Sequence, residues 1–303
     1  MVRRLLKRRV EVLFSSPTIC SLTKHRVRNK RLILAYHGII PDGALADGER
    51  SLFIAQRDFA NQLDMLAEVA DVAPLDRLDE EGDGRPRVAI TVDDAYRGAV
   101  CNGVRELVKR RLPATIFVAP ACLDGHVFWW DALASSSGHV DRAIREYALR
   151  ELDGCDERVR SWARSQSLGK TRPISAHACA ATRAELRAAV AFPGITVGSH
   201  SWSHSNLATL RSDDLDWEVA QSRAWLKSEF GEKAIDWFAY PYGLDSVAAR
   251  QAVAVASYKG ALRIDGGWHT ASRVSPFGRP RYNVAAGLSV AGLKARVLGA
   301  LPS

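Results

Sequence analysis

The sequence predicts an α/β protein built from parallel strand–helix units. From residue 31 onward, short β-rich runs alternate with stretches of helical period. The helices between them run about 10–18 residues, long enough to cross back over a sheet and start the next strand in parallel. At 47% hydrophobic and 25% charged, the 303 residues have ordinary globular composition, which excludes disorder and fibrous repeats.

The elements follow in order. Arg31–Tyr36 reads as a buried strand, and Asp58–Val69 as a helix with Phe59, Leu63 and Leu66 on one face. Val88–Val92 is a strand, Arg97–Arg111 a helix and Ala114–Ala119 a strand. Ile195–Ser199 and Ile235–Tyr240 are strands flanking a helix over Asp213–Phe230. Ser246–Ala256 is helical, Tyr258–Arg263 extended, and Val290–Leu301 a closing helix. Residues 124–182 break this rhythm. They are polar, helical and rich in Arg and Ser, and read as an insertion or a lid on a single domain spanning 31–303. The sheet is either open or closed into a barrel.

No run approaches the ~18 apolar residues of a membrane span. The five cysteines (20, 101, 122, 155, 179) are odd in number and never in a Cys-x-x-Cys pair, which favours a reducing compartment over a disulfide framework. The net charge of +8 lies in one place. Nine of the 42 Lys and Arg and one of the 34 Asp and Glu fall in residues 1–30, leaving 33 of each in the body. A duplex-tracking protein spreads its basic surface along a groove, so nucleic acid is not an expected partner. The basic leader has no apolar core or small-residue cleavage site of a signal peptide. Val2, Leu5, Leu6, Val10, Leu13 and Phe14 give it an amphipathic helical pattern that Pro17 limits. Three readings stand open: a terminal helix packed on the body, a helix over residues 1–16 resting on an anionic membrane face, or disorder.

In parallel strand–helix architectures, functional groups sit where strands end and loops begin. Three strand ends carry unusual chemistry. Val88–Val92 runs into Asp93 and Asp94, adjacent carboxylates that are costly at the mouth of a buried strand unless a cation absorbs their charge. The pair also fits as an N-cap for the following helix. Ile195–Ser199 runs into His200-Ser-Trp-Ser-His204. On a helical turn, the i and i+4 spacing places both imidazoles on one face, although a polar turn also accounts for them. With Asp94 they make a two-histidine, one-carboxylate set with an open fourth position, as in catalytic zinc sites. Trp237–Tyr240 runs into Pro241-Tyr242-Gly243, a tight turn that is either structural or leaves a backbone N–H exposed as an oxyanion donor.

These segments together resemble one family. Thr91-Val-Asp-Asp-Ala95 is similar to the Thr-Phe-Asp-Asp-Gly signature of the NodB-type polysaccharide deacetylases, carbohydrate esterase family four. His200-Ser-Trp-Ser-His204 resembles their His-[Ser/Thr]-x-x-His element, and Phe238-Ala-Tyr-Pro-Tyr-Gly243 their third motif as found in the exopolysaccharide and surface-glycan branch. Leu34-Ala-Tyr-His37 resembles the Tyr-His opening of that branch, and Ala114–Val118 its second core strand. The resemblance covers roughly 31–123 and 180–290. It implies a distorted, incomplete (β/α) barrel of the NodB-homology type, with the 124–182 segment a helical insertion.

The resemblance further implies a divalent metal, zinc first with cobalt or nickel as alternatives, on Asp94, His200 and His204. Asp93 would be the general base and the Tyr242 N–H an oxyanion donor. Three departures stand out. Ala95 replaces the glycine after the aspartates, and Ala239-Tyr240 occupies the place of the arginine that orients the base in many members. Arg281 is the candidate to take over that role and to contact substrate. The family's C-terminal Leu-x-His-Asp acid is absent, since no histidine follows His269. His37 is the first candidate for the acid and His269 the second. Trp129, Trp130 and Trp202 are candidate sugar-stacking platforms, with core packing as the alternative.

The function expected is metal-dependent hydrolysis of the N-acetyl group of an N-acetylated saccharide, lipid- or nucleotide-linked, on the cytoplasmic side of glycan assembly. The alternatives are deacylation of another amide, such as an N-formyl sugar or a non-sugar, or a catalytically inactive glycan-binding protein on the same fold.

Overall fold

The structure is a computed structural model and describes residues 10–169 and 173–303. In chain order the strands are β1 (Arg31–Tyr36), β2 (Gly38–Ile40), β3 (Phe53–Ala55), β4 (Asp71–Val72), β5 (Arg87–Val92), β6 (Ala114–Val118), β7 (Ile195–Ser199), β8 (Ala234–Ala239), β9 (Gly260–Leu262) and β10 (Tyr282–Asn283). β2 and β3 form a small parallel pair. The others form one parallel sheet in the order β10-β1-β5-β6-β7-β8-β9, with β4 paired to the start of β5. All six residues of β5 are buried, as expected of a parallel strand covered on both faces.

The sheet curls until its edges are nearly joined. Arg279 bridges Leu262 of β9, and three residues later Tyr282 and Asn283 pair with Leu34 and Ala35 of β1. One short stretch, 279–283, thus spans the seam of the distorted, incomplete barrel.

Side-chain alternation divides the core. Leu32, Leu34 and Tyr36 pack outward under the helices, together with Val88, Ile90 and Val92. Ile33, Ala89, Phe117, Ala239 and Leu262 form an inner cluster. Continuing that period of two past the strand ends turns His37 and Asp93 inward.

Several boundaries differ from the sequence pattern. The closing helix covers Val290–Val297 rather than reaching Leu301, because Gly299, with φ of 71°, takes the left-handed position that stops it. The stretch after the paired aspartates opens as a π-helical turn, Ala99–Gly103, before the α-helix Val104–Lys109. In the leader, residues 10–14 are helical, but Pro17 opens a second helix, Pro17–Thr23, at a first-turn position where its missing N–H costs nothing. The rest of the expected amphipathic helix, with Val2, Leu5 and Leu6, lies outside the described residues. The described part packs on the closing helix: the Ser289 hydroxyl donates to Glu11 (2.6 Å), and the Thr23 hydroxyl donates to the Leu298 carbonyl (2.8 Å).

The 124–182 segment carries helices Trp129–Leu133, Arg142–Arg150 and Asp156–Ser165. It is less polar than its composition implies, since Phe128, Trp129 and Trp130 join the main core. All five cysteines are free. Among the described residues, no helix is long and apolar enough to cross a membrane.

Candidate active site and metal centre

The site gathers at the C-terminal ends of β1, β5, β7 and β8. Alternation alone would send Asp94 to the face opposite Asp93. Instead Asp94 (φ 67°) and Ala95 (φ 49°) adopt the left-handed conformation, and both carboxylates enter one cavity. Two non-glycine residues held there cost about 1–2 kcal/mol each, strain of the kind that concentrates at functional sites.

The two histidines converge by a route the sequence did not predict. Residues 200–204 form a loop rather than a helical turn, with Ser201 (φ 61°) and His204 (φ 62°) left-handed. The His204 N–H donates to the Ser201 hydroxyl (3.0 Å). Glu218, buried on the helix Ser212–Phe230, accepts the Trp202 and Ser203 N–H groups, each at 2.9 Å, and the Ser203 hydroxyl. Glu218 therefore shapes the loop. Its only sequence signal was an acid beside the inward Leu215 and Val219, and sequence reasoning missed it.

Asp94 Oδ1 lies 3.0 Å from His204 Nε2 and 3.5 Å from His200 Nε2. The ligand atoms of the three residues all lie within 4.8 Å of one another. Asp94 Oδ1 is buried and makes no hydrogen bond. His200 Nδ1 lies 2.7 Å from the Ala239 carbonyl, an acceptor, so it is the protonated nitrogen and the Nε2 lone pair faces the cluster. An orphaned carboxylate oxygen facing two imidazole nitrogens fits a divalent cation with an open position.

Asp93 sits beside this cluster in a second arrangement. Arg281 Nη1 and Nη2 each donate to one Asp93 oxygen at 2.7 Å, and Nη1 also reaches the Thr91 hydroxyl at 3.2 Å. The Arg281 Nε donates to the Arg263 carbonyl, and the guanidinium lies over the Phe117 ring. Burial alone would push the Asp93 carboxyl up. Arg281, then His200, more than reverse that and hold it below the ordinary range. For Asp94, burial again opposes, while His200 and His204 hold the carboxyl far below the usual range. His37 Nε2 stands 3.8 Å from Asp93 Oδ2, and burial lowers its pKa against the pull of Asp93 and Asp94.

Tyr242 lines the same cavity with φ of 60°, in a turn whose own hydrogen bonds come from Gly243 and Leu244. Its hydroxyl accepts from Trp129 Nε1 (2.9 Å) and donates to the Gly154 carbonyl (2.9 Å), tying the 124–182 segment to the turn. Trp130 also walls the cavity, its ring 4.9 Å from the His204 imidazole. The cavity is small, about 90 Å³.

Four sequence expectations need correction. Arg281 is fully buried with its fork taken by Asp93, so it fixes that carboxylate and presents no free group to a substrate. Trp129 is fully buried and offers no free face for a sugar. Trp202 lies edge-on against Trp217, a half-exposed residue on the outside of the Ser212–Phe230 helix, and does not line the cavity. His269 pairs with Arg31, the first residue of β1, at the opposite end of the barrel and roughly 17 Å from the strand's other end. Two further polar lining residues, Arg145 and Asn283, carried no sequence signal.

A sequence profile described as polysaccharide deacetylase matches residues 80–261. No curated protein sequence matches. Three solved structures share the fold. The Streptococcus pyogenes deacetylase PplD, in complex with acetate, has 17% identity and a TM-score of 0.61 over 90% of this chain and 99% of its own. IcaB from Ammonifex degensii has 17% identity and a TM-score of 0.61 over 89% and 97%. A polysaccharide deacetylase from Bacillus cereus has 16% identity and a TM-score of 0.62 over 88% and 69%.

Proposed function

This chain belongs to the polysaccharide deacetylase family, and from that premise we propose that it hydrolyses the N-acetyl group of an N-acetylated sugar in a glycan or glycan precursor, using a divalent metal. The observation that carries this reading is the buried, hydrogen-bond-free Asp94 oxygen facing His200 and His204, with the Asp93–Arg281 pair alongside.

Asp94, His200 and His204 would hold the ion, zinc first. When bound, the ion supplies Lewis acidity, which makes water a stronger acid and offsets negative charge at the carbonyl. Asp93, kept ionised and aimed by Arg281, takes the proton of the attacking water at its carboxylate. The Tyr242 N–H donates to the carbonyl oxygen as it gains charge. The C–N bond then breaks, and the amine leaves with a proton rather than as an anion. His37, which burial keeps neutral at rest, takes up the proton gathered by Asp93 and passes it to that nitrogen. Water and acetamide become acetate and a free amino sugar. Support for the enzyme over an inactive glycan-binding protein comes from Arg281, which grips Asp93, and from His37, 3.8 Å from it.

We further propose that the enzyme works in the cytoplasm at the inner face of a membrane. Support comes from Val12, Leu13 and Leu22, all more than 60% exposed, close in sequence to the basic Lys24, Arg26, Arg28 and Lys30. The test of function is acetate release, with added zinc or cobalt, from nucleotide-linked, lipid-linked and oligomeric N-acetylhexosamines. Asp93→Asn should lower kcat by about 10²–10⁴-fold while keeping the metal. Metal-loaded protein silent on every N-acetyl sugar, but active on an N-formyl one, would replace the acetyl reading.

A further inference from the structure

The 124–182 segment places one charged side chain in the cavity that the reaction above does not use. Arg145, on the helix Arg142–Arg150, is half-buried and lines the same space as Asp93 and Asp94. Its neighbours in the segment are paired: Arg142 donates to Glu146 (2.8 Å), Arg158 pairs with Asp153 and Arg160 with Asp156. The Arg145 side chain makes no ion pair or hydrogen bond with any described residue. Nor are the cavity's two carboxylates available to it, since Asp93 is held by Arg281 and Asp94 faces the two histidines. With a divalent ion on Asp94, His200 and His204, the cavity carries net positive charge.

The helix bearing Arg145 is fixed in place. Asp141 caps its start by accepting the Ala143 and Ile144 N–H groups, and Ala148 is buried beneath it. At its far end, Asn206 donates its side-chain amide to the Leu149 carbonyl (2.9 Å) and its backbone N–H to the Asp153 carbonyl (2.6 Å). Asn206 lies two residues past His204, so the loop that presents the histidines also holds the Arg145 helix. A guanidinium that loses part of its hydration gains most from an oxyanion that its planar fork can grip. Sugar hydroxyls and an acetamide are neutral and need no such charge.

We propose that Arg145 is the anion-binding residue of this active site, and that the natural substrate carries an oxyanion beside its N-acetylated sugar. Two sources supply that chemistry: a phosphoryl group at the sugar's reducing end, or the carboxylate of an adjoining uronic acid. This inference rests on the deacetylase reading of the site.

The experiment compares N-acetylglucosamine 1-phosphate, a glucuronate-containing N-acetylglucosamine disaccharide and the neutral methyl glycoside. Each is tested with the wild type, Arg145→Gln and Arg145→Lys in their metal-loaded forms. The wild type should favour one anionic substrate over the neutral one by tenfold or more in kcat/KM, and which one identifies the source. Arg145→Gln should collapse that ratio through KM, and Arg145→Lys should keep part of it. An unchanged ratio in Arg145→Gln, or no preference in the wild type, overturns the proposal whatever the absolute rates. Calorimetric binding of N-acetylglucosamine 1-phosphate and of the glucuronate disaccharide separates the two readings. Binding of either that depends on Arg145 without acetate release retains the anion site and rejects the acetyl chemistry, while absence of both rejects both.

Discussion

The two ends of the barrel are both rich in charge, and they handle it differently. At the end where strands begin, Arg87 pairs with Asp71 and donates to the Leu78 and Arg77 carbonyls, and Arg279 lies 2.7 Å from Asp79. Most cations there pair with carboxylates and carbonyls at the rim, while the buried Nε atoms of Arg31 and Arg279 make no hydrogen bond. At the end where strands finish, Asp93 is answered by Arg281, but Asp94 Oδ1 makes no hydrogen bond and the Arg145 side chain has no partner among the described residues. Charge pairs at one end hold the fold together; at the other, a carboxylate oxygen and a guanidinium face one cavity. Left-handed non-glycine backbone occurs at both ends, with Asp94, Ser201, His204 and Tyr242 at the second and Arg111 and Ser257, just before β6 and β9, at the first.

The largest test of this contrast is the pair inside the barrel. Arg281→Met strands a fully buried carboxylate, and unfolding titrations should show a loss of about 3–5 kcal/mol. The pH dependence should also reverse. In the wild type Asp93 is depressed, so its contribution is present above the ordinary carboxylate pKa and fades as pH falls through its lower folded value. Without Arg281, burial raises the Asp93 pKa, stability should fall as pH rises through the carboxylate range, and the acidic limb of activity should move to higher pH. A variant with the wild-type pH profile would show that the fork does not set the base.

A smaller effect is expected at the opposite end. Arg87→Met removes a partly exposed pair and two carbonyl contacts, and should cost about 1–3 kcal/mol. Acetate release per folded molecule should stay within twofold of wild type. Loss of activity comparable to that of Arg281→Met would erase the distinction between the ends. Smallest of all is Trp202→Ala. Its indole faces Trp217 outside the cavity, so KM for an oligosaccharide should change by less than twofold, and a tenfold rise would restore it as a sugar platform.

Much of this was legible in the chain. Strands β1 and β7 have the bounds read from the sequence, because strands covered on both faces are largely apolar. Asp93, Asp94, His200 and His204 could be singled out because charged and imidazole side chains directly after such strands have few structural uses. The fate of the tryptophans could not. Trp129, Trp130 and Trp202 are chemically alike, and only packing made one a hydrogen-bond donor to Tyr242, one a wall beside His204 and one an outer residue.

The sequence by itself determined the parallel strand–helix order, the strand ends that carry the chemistry and the residue types of the metal set. These follow from local period and from the cost of burying charge, which neighbouring residues reveal. Only the tertiary structure decided that Arg281 meets Asp93 and that Arg145 enters the cavity. It also decided that a loop pinned by Glu218, rather than a helical turn, brings the two histidines together. Those contacts join residues between 15 positions apart, for Ser203 and Glu218, and 188 apart, for Arg281 and Asp93. Local patterns carry no trace of them, because they exist only once the sheet has curled and brought its two edges together.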